Sequence, residues 1–254
     1  MQSSTRPTPP LAMNRVSTLT HGMPPGFVQP ALENGRLSSA FHREGPDGRY
    51  HRPADRNGGG ALGVYTRAQG KQQDAWQAQG YGVGSNPNNV QMVLDPNLLQ
   101  TRPGWRASSI DNMGKVPGAS QSDLLELKDG NPLERTTELW SKQTEPRRNQ
   151  AFNTSVSGRR PQKQNEQVHW EHIPLDGNLR GMVTTSPQSF NQMMQLPGAW
   201  RSGLPLPQAS HGIQGLGYVP VGNGRVPVVQ TTPTASQANA LKLSGITDTD
   251  GNVR

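Results

Sequence analysis

Residues that break regular structure recur in this sequence faster than a long helix or strand can grow between them, and that spacing limits what the chain can fold into. Pro9-Pro10, Pro24-Pro25-Gly26, Gly45-Pro46-Asp47-Gly48 and Gly58-Gly59-Gly60 crowd its first quarter. Proline removes a backbone donor and fixes φ, and glycine loses the most conformational freedom on ordering. Glycine, proline, glutamine and serine number 29, 23, 22 and 19 among 254 residues, or 37%, past the level of about 25 to 30% that marks low-complexity chains. Valine, leucine, isoleucine and phenylalanine number 16, 21, 4 and 4, or 18%, below the level of about 20% associated with chains that bury too little surface to fold. The expectation is a mostly irregular, extended chain with a few short α-helices and one β-hairpin, and no single globular core. Such a chain is intrinsically disordered when isolated and becomes ordered on a partner. The formal charge of +7 over 254 residues makes it polar and not a polyelectrolyte.

Five segments follow. Residues 1–80 read as an extended Pro/Gly-rich arm, with a helical turn around Trp76. Its Arg36, Arg43, Arg49, Arg52 and Arg56 alternate with Phe41, His42, Tyr50 and His51, and read as surface anchors because Glu44, Asp47 and Asp55 interrupt the positive run. Residues 81–146 hold a short strand, Val90 to Leu94, and a helical pair. In that pair Ser120 and Asp123 cap the first helix, Asp129-Gly130 stops it, Asn131-Pro132 opens the second, and Pro146 ends it beyond Trp140. Residues 147–170 form a basic linker or strap, in which the stretch from Arg147 to Lys163 carries Arg147, Arg148, Arg159, Arg160 and Lys163 and no acid.

Residues 171–232 carry a short helix from Ser186-Pro187 with Phe190, Met193 and Met194 at helical spacing. A hairpin follows, with Tyr218 to Val221 and Arg225 to Val229 flanking Gly222-Asn223-Gly224. Pro220 and Pro227 require parts of both strands to face outward or lie at an edge. Residues 233–254 form a C-terminal helix, Ala238 to Leu243 with Gly245 as its stop, and a tail offered as a strand to a neighbour.

The chemistry-bearing residue types form no familiar constellation. His169 and His172 are three apart, lack the i, i+4 spacing of a zinc helix, and have no third ligand. Asp248 and Asp250 lack the rest of a calcium loop. No glycine-rich loop leads to a lysine, and no serine sits in a nucleophile elbow. Catalytic, cofactor-binding and metal residues are therefore none, no cofactor is expected, and the chain reads as not an enzyme. No apolar run is long enough to span a membrane, and the prolines at positions 7, 9, 10, 24, 25 and 30 forbid the amphipathic helix of a transit peptide.

The function expected on these grounds is that of a non-enzymatic structural protein threading between folded subunits of a large assembly, such as a minor capsid or cement protein of a virion. Two other readings stand beside it. One is a lining protein of another repetitive assembly, a microtubule lumen or a ribonucleoprotein; the other is a packaging protein that binds nucleic acid through the basic segment. The expected location is a virion or an intracellular assembly. Trp105, Arg106, Trp140, Trp200 and Arg201 are the expected partner anchors. Trp105 and Trp200 share a phrase, Pro103-Gly104-Trp105-Arg106 and Pro197-Gly198-Ala199-Trp200-Arg201, in which a bend sets a ring beside a cation.

Overall fold

Short runs of valine, threonine and glutamine between the breakers form strands, because β-branched side chains pack well on a pleated surface. The computed structural model describes residues 7–44, 63–71, 82–84, 86–102, 104–108, 143–156, 166–203 and 212–254. The helical pair of residues 118–146 lies outside these residues up to position 142, Trp140 included, as do the turn around Trp76 and Arg159, Arg160 and Lys163.

The strands are β1 (Val16–Met23), β2 (Arg36–Ser38), β3 (Gly63–Gly70), β4 (Val90–Leu94), β5 (Arg106–Ser108), β6 (Glu166–Trp170), β7 (His172–Pro174), β8 (Leu179–Thr184), β9 (Trp200–Arg201), β10 (Ile213–Val221) and β11 (Gly224–Thr231). The helices are α1 (Val28–Glu33), α2 (Ala40–Glu44), α3 (Leu98–Thr101), α4 (Glu145–Val156), α5 (Pro187–Met193) and α6 (Gln237–Leu243). Hydrogen bonding orders nine strands as β5-β6-β3-β1-β4-β8-β11-β10-β9, while β2 and β7 pair separately. The chain groups into two compact units interleaved in sequence. The first comprises Met1–Arg15, Ser38–Tyr65 and Gly104–His172; the second comprises Val16–Leu37, Thr66–Pro103 and Ile173–Arg254.

In the second unit, β4 lies between β1 and β8 and pairs antiparallel with both. β8 pairs with β11 in parallel, and β11 continues antiparallel into β10 through the two-residue turn Gly222-Asn223. Gly222 takes φ +54, the left-handed region such a turn needs. Pro227 is tolerated on an interior strand because the pairing with β8 covers only Val228, Val229 and Gln230.

One face of this sheet packs Val93, Val183 and Val229 against Ala240 and Leu241 of α6 and against Ile246. Ser236 caps α6 by accepting from the Asn239 N–H, and Gly245 at φ +76 ends it. The other face receives α5, whose N-cap Ser186 accepts from the Ser189 N–H. Gly215 has no side chain where the Phe190 ring lies. Beyond α6 the tail folds back on its own chain, with Thr247 bridging Val253 and the Arg254 N–H donating to the Ile246 carbonyl. It is not a strand left open for a neighbour.

The expected irregular, extended chain without a core is thus overturned. Two things concealed the core. The valines are concentrated in a few strands, so a chain average understates them. Polar residues also take interior positions: Thr18, Gln91, Thr184 and Thr231 are all fully buried.

Gln91 illustrates the cost. Its side chain is wholly enclosed, and neither amide atom has a hydrogen-bond partner among the described residues. An unpaired buried amide costs about 1 to 3 kcal/mol. Gln91→Met keeps similar bulk and removes both polar atoms. It should raise stability by about 1 kcal/mol or more, read as a Tm a few degrees higher; a lower Tm would show that the amide is paired in solution. The wild-type chain should itself melt cooperatively when isolated, checked by circular dichroism.

Candidate functional site

The strongest concentration of buried polar side chains on one strand of the first unit is on β6. Glu166 is 8% exposed, Gln167 fully buried and His169 4% exposed. A buried carboxylate is costly unless donors or cations surround it. β6 lies between β5 and β3. Its register with β5 sets Arg106 opposite Val168, Ala107 opposite Gln167 and Ser108 opposite Glu166. Alternation along the strands then puts Glu166 and Arg106 on one face as diagonal neighbours, and Ala107 and Gln167 on the other. On the β3 side, the residues of this unit are Gly63, Val64 and the half-buried Tyr65.

Helix α4 holds this strand pair in place. Glu145-Pro146 starts it, since proline in the first turn gives up a donor that has no partner there anyway. Pro146 thus opens a helix where the sequence suggested that it closed one. Phe152 of α4 meets Trp105 edge-on, with ring centroids 5.6 Å apart at 70°. The Arg148 guanidinium lies 4.6 Å over the same indole, donates from Nε to Asn149 Oδ1 and pairs with Glu145 at 3.3 Å. The Gln143 side chain accepts from the Ala107 N–H and donates to the Ala107 carbonyl, both at 2.9 Å, and so closes the outer edge of β5 as a neighbouring strand would. Asn149 and Asn153 fasten the N-terminal segment by donating to the Pro9 and Pro10 carbonyls.

The electrostatics follow from burial. Arg106 is held below its ordinary pKa first by desolvation and then by the charge of Arg148. Arg148 is lowered by burial, with Glu145 acting in the opposite direction. Arg106 also donates to the Trp105 carbonyl at 3.0 Å. A carboxylate and a guanidinium diagonal to each other on a rigid strand pair can stabilise a developing positive charge and hold an anionic group, respectively.

The anticipated anchors are placed very differently. Trp105 is 1% exposed, enclosed within its own chain. Arg147 and Arg148 stand on α4, and Arg148 faces inward. Trp200 is 52% exposed, with Arg201 beside it on edge strand β9. His169 lies buried on β6 and His172 half-buried on β7. In the second unit a further imidazole, His21, sits half-buried on β1 opposite Met92, with Gly22 after it. Sequence reasoning passed over Glu166, Tyr65 and His21. His21 and Tyr65 stand in eight-residue strands and Glu166 in a five-residue one, and none of them belongs to a recognised motif.

No family model and no curated protein matches this chain. Among solved structures it is similar to Thermus sp. 2.9 DarT in complex with NAD+, at 10% identity, over 72% of this chain and 90% of that one, with a TM-score of 0.36. A likeness of that degree decides nothing about activity, and the functional reading rests on the chain's own residues. Those residues overturn the expectation of a capsid, cement or other threading protein, since it presupposed a chain unable to build a core. They also remove the ground on which catalysis was excluded, namely that no rigid scaffold was present. Among the described residues no helix is long and apolar enough to cross a membrane.

Because Trp105 joins α4 to the strand pair, Trp105→Ala should cost about 3 to 5 kcal/mol of folding stability, measured by urea denaturation. A loss below about 1 kcal/mol would mean that the ring is not part of the core.

Proposed function

We propose that the chain is an enzyme in which the Glu166 carboxylate opposes positive charge that develops on a bound nucleotide. The single observation that carries this reading is the burial of that carboxylate, 8% exposed on a sheet strand. Arg106, diagonal to it, supplies the cation a phosphate group requires, and neighbouring strand β3 carries the half-buried Tyr65.

The reaction this set suits is cleavage of a bond between a ribose carbon and a base nitrogen. The electron pair of that bond leaves with the base, the ribose carbon becomes electron-poor, and an incoming nucleophile completes the transfer. A carboxylate held close to that carbon favours the transition state over the ground state, because the charge it opposes exists only there.

NAD+, the compound in the DarT complex, is the first probe. It has a base that departs as neutral nicotinamide, a pyrophosphate for Arg106 and an aromatic ring. Release of nicotinamide should be detectable by chromatography with the wild-type chain. Glu166→Gln, which keeps shape and removes charge, should lower it about 100-fold or more while leaving the Tm within a few degrees. The reading fails if Glu166→Gln is as active as wild type, or if NAD+ is neither cleaved nor raises the Tm.

A further inference from the structure

Trp200 and Tyr218 stand together at the β9 edge of the sheet. Their rings are stacked, with centroids 5.6 Å apart and planes 23° from parallel. Tyr218 is half-buried, yet Trp200 leaves 52% of its surface in solvent, the largest exposure of any big apolar side chain among the described residues. The register extends this pair into a platform. Tyr218 is opposite both Trp200 on β9 and Pro227 on β11, and Pro220 is opposite Arg225. Residues 218 and 220 share a face, so Trp200, Tyr218, Pro220, Pro227 and Arg225 all lie on it. Arg201 is on the opposite face, where it donates to Asn191 at 2.6 Å and lies 5.5 Å over the Phe190 ring.

The sequence around this platform is basic, apart from Asp176, whose carboxylate lies against Gly222 at the hairpin turn. Residues 177–247 contain no aspartate or glutamate, while they contain Arg180, Arg201, Arg225 and Lys242. Arg180 is neutralised by Asp95 at 2.6 Å and Arg201 is held by Asn191. The exposed Arg225 is therefore the guanidinium that this face offers among the described residues. Two rigid rings flanked by prolines and one arginine match the composition of sites that dominate protein–protein affinity, where aromatic anchors and arginine carry most of the binding energy. A nucleic-acid strand needs a series of cations for successive phosphates, whereas among the described residues Arg225 is the one cation on the β9–β11 part of this face. An acidic, apolar peptide needs one guanidinium for a carboxylate and one flat ring for its neighbour.

We propose that Trp200, Tyr218 and Arg225 form a docking surface for an acidic segment of a partner protein, with an apolar side chain of that segment on the Trp200 indole and a carboxylate on Arg225. The test uses the full chain and a fluorescently labelled peptide of alternating glutamate and leucine, followed by anisotropy. Binding is expected for wild type and should weaken about tenfold or more in Trp200→Ala and in Arg225→Glu. Both substitutions are at exposed positions, and an unchanged Tm confirms that each variant is folded. A peptide of alternating lysine and leucine should not bind. The proposal is overturned if the glutamate peptide does not bind, if both variants bind it as wild type does, or if a dT12 oligonucleotide binds more tightly at the same salt concentration.

Discussion

Every residue of β4 is buried, so each of its backbone donors and acceptors needs a partner inside the protein, and the second unit is organised around meeting that requirement. β1 supplies one edge of the ladder and β8 the other. Once those three strands are in register, Val93 and Val183 share a face on which α6 and Ile246 close. A slip of one residue would send these valines to the opposite face and put Met92 and Met182 in their place. Gly181 fits the same arrangement, since a methyl group there would run into the Ile246 side chain.

The first unit solves a different problem with few residues. β5 is three residues long and contributes little ladder of its own. Its outer edge is completed by a glutamine side chain, and its inner edge by β6. The indole of Trp105 then anchors α4 through one aromatic and one cationic contact. Arg148, buried over that ring, remains satisfied because Glu145 and Asn149 hold its guanidinium from the same helix. This clamp keeps β6 and its buried carboxylate from shifting, and positional precision separates a reacting group from one that is merely present.

These two arrangements bear directly on function. A threading protein gains its order from a partner, and its rings belong to that partner's pockets. Here one prominent ring, Trp105, is consumed by the chain's own core, and another, Trp200, stacks on Tyr218 at a sheet edge with half its surface exposed. The chain therefore divides roles that the sequence treated alike. Buried polar side chains gather on β6, and the exposed Trp200 stacks on the half-buried Tyr218 at the β9 edge.

The sequence by itself determined the local events. Gly222-Asn223 demanded a tight turn, Ser186-Pro187 and Gly245 fixed a helix start and a helix stop, and Val90 to Leu94 was already a strand. Each depends on side chains a few residues apart, which a linear reading can see. Tertiary structure decided the rest. Pro146 could either end a preceding helix or begin a new one, and only the packing of Phe152 on Trp105 selected α4. The inward face of α4 includes Arg148, Asn149 and Ser155, so it left no apolar periodicity to read. Trp105 and Trp200 occur in nearly the same phrase, yet one is enclosed by α4 while the other lies on an edge strand. Glu166 drew no notice in the sequence, and its burial depends on the strands β5 and β3 on either side of its own. Burial of a polar residue is set by long-range pairing, and composition averages over the segments between which that pairing occurs.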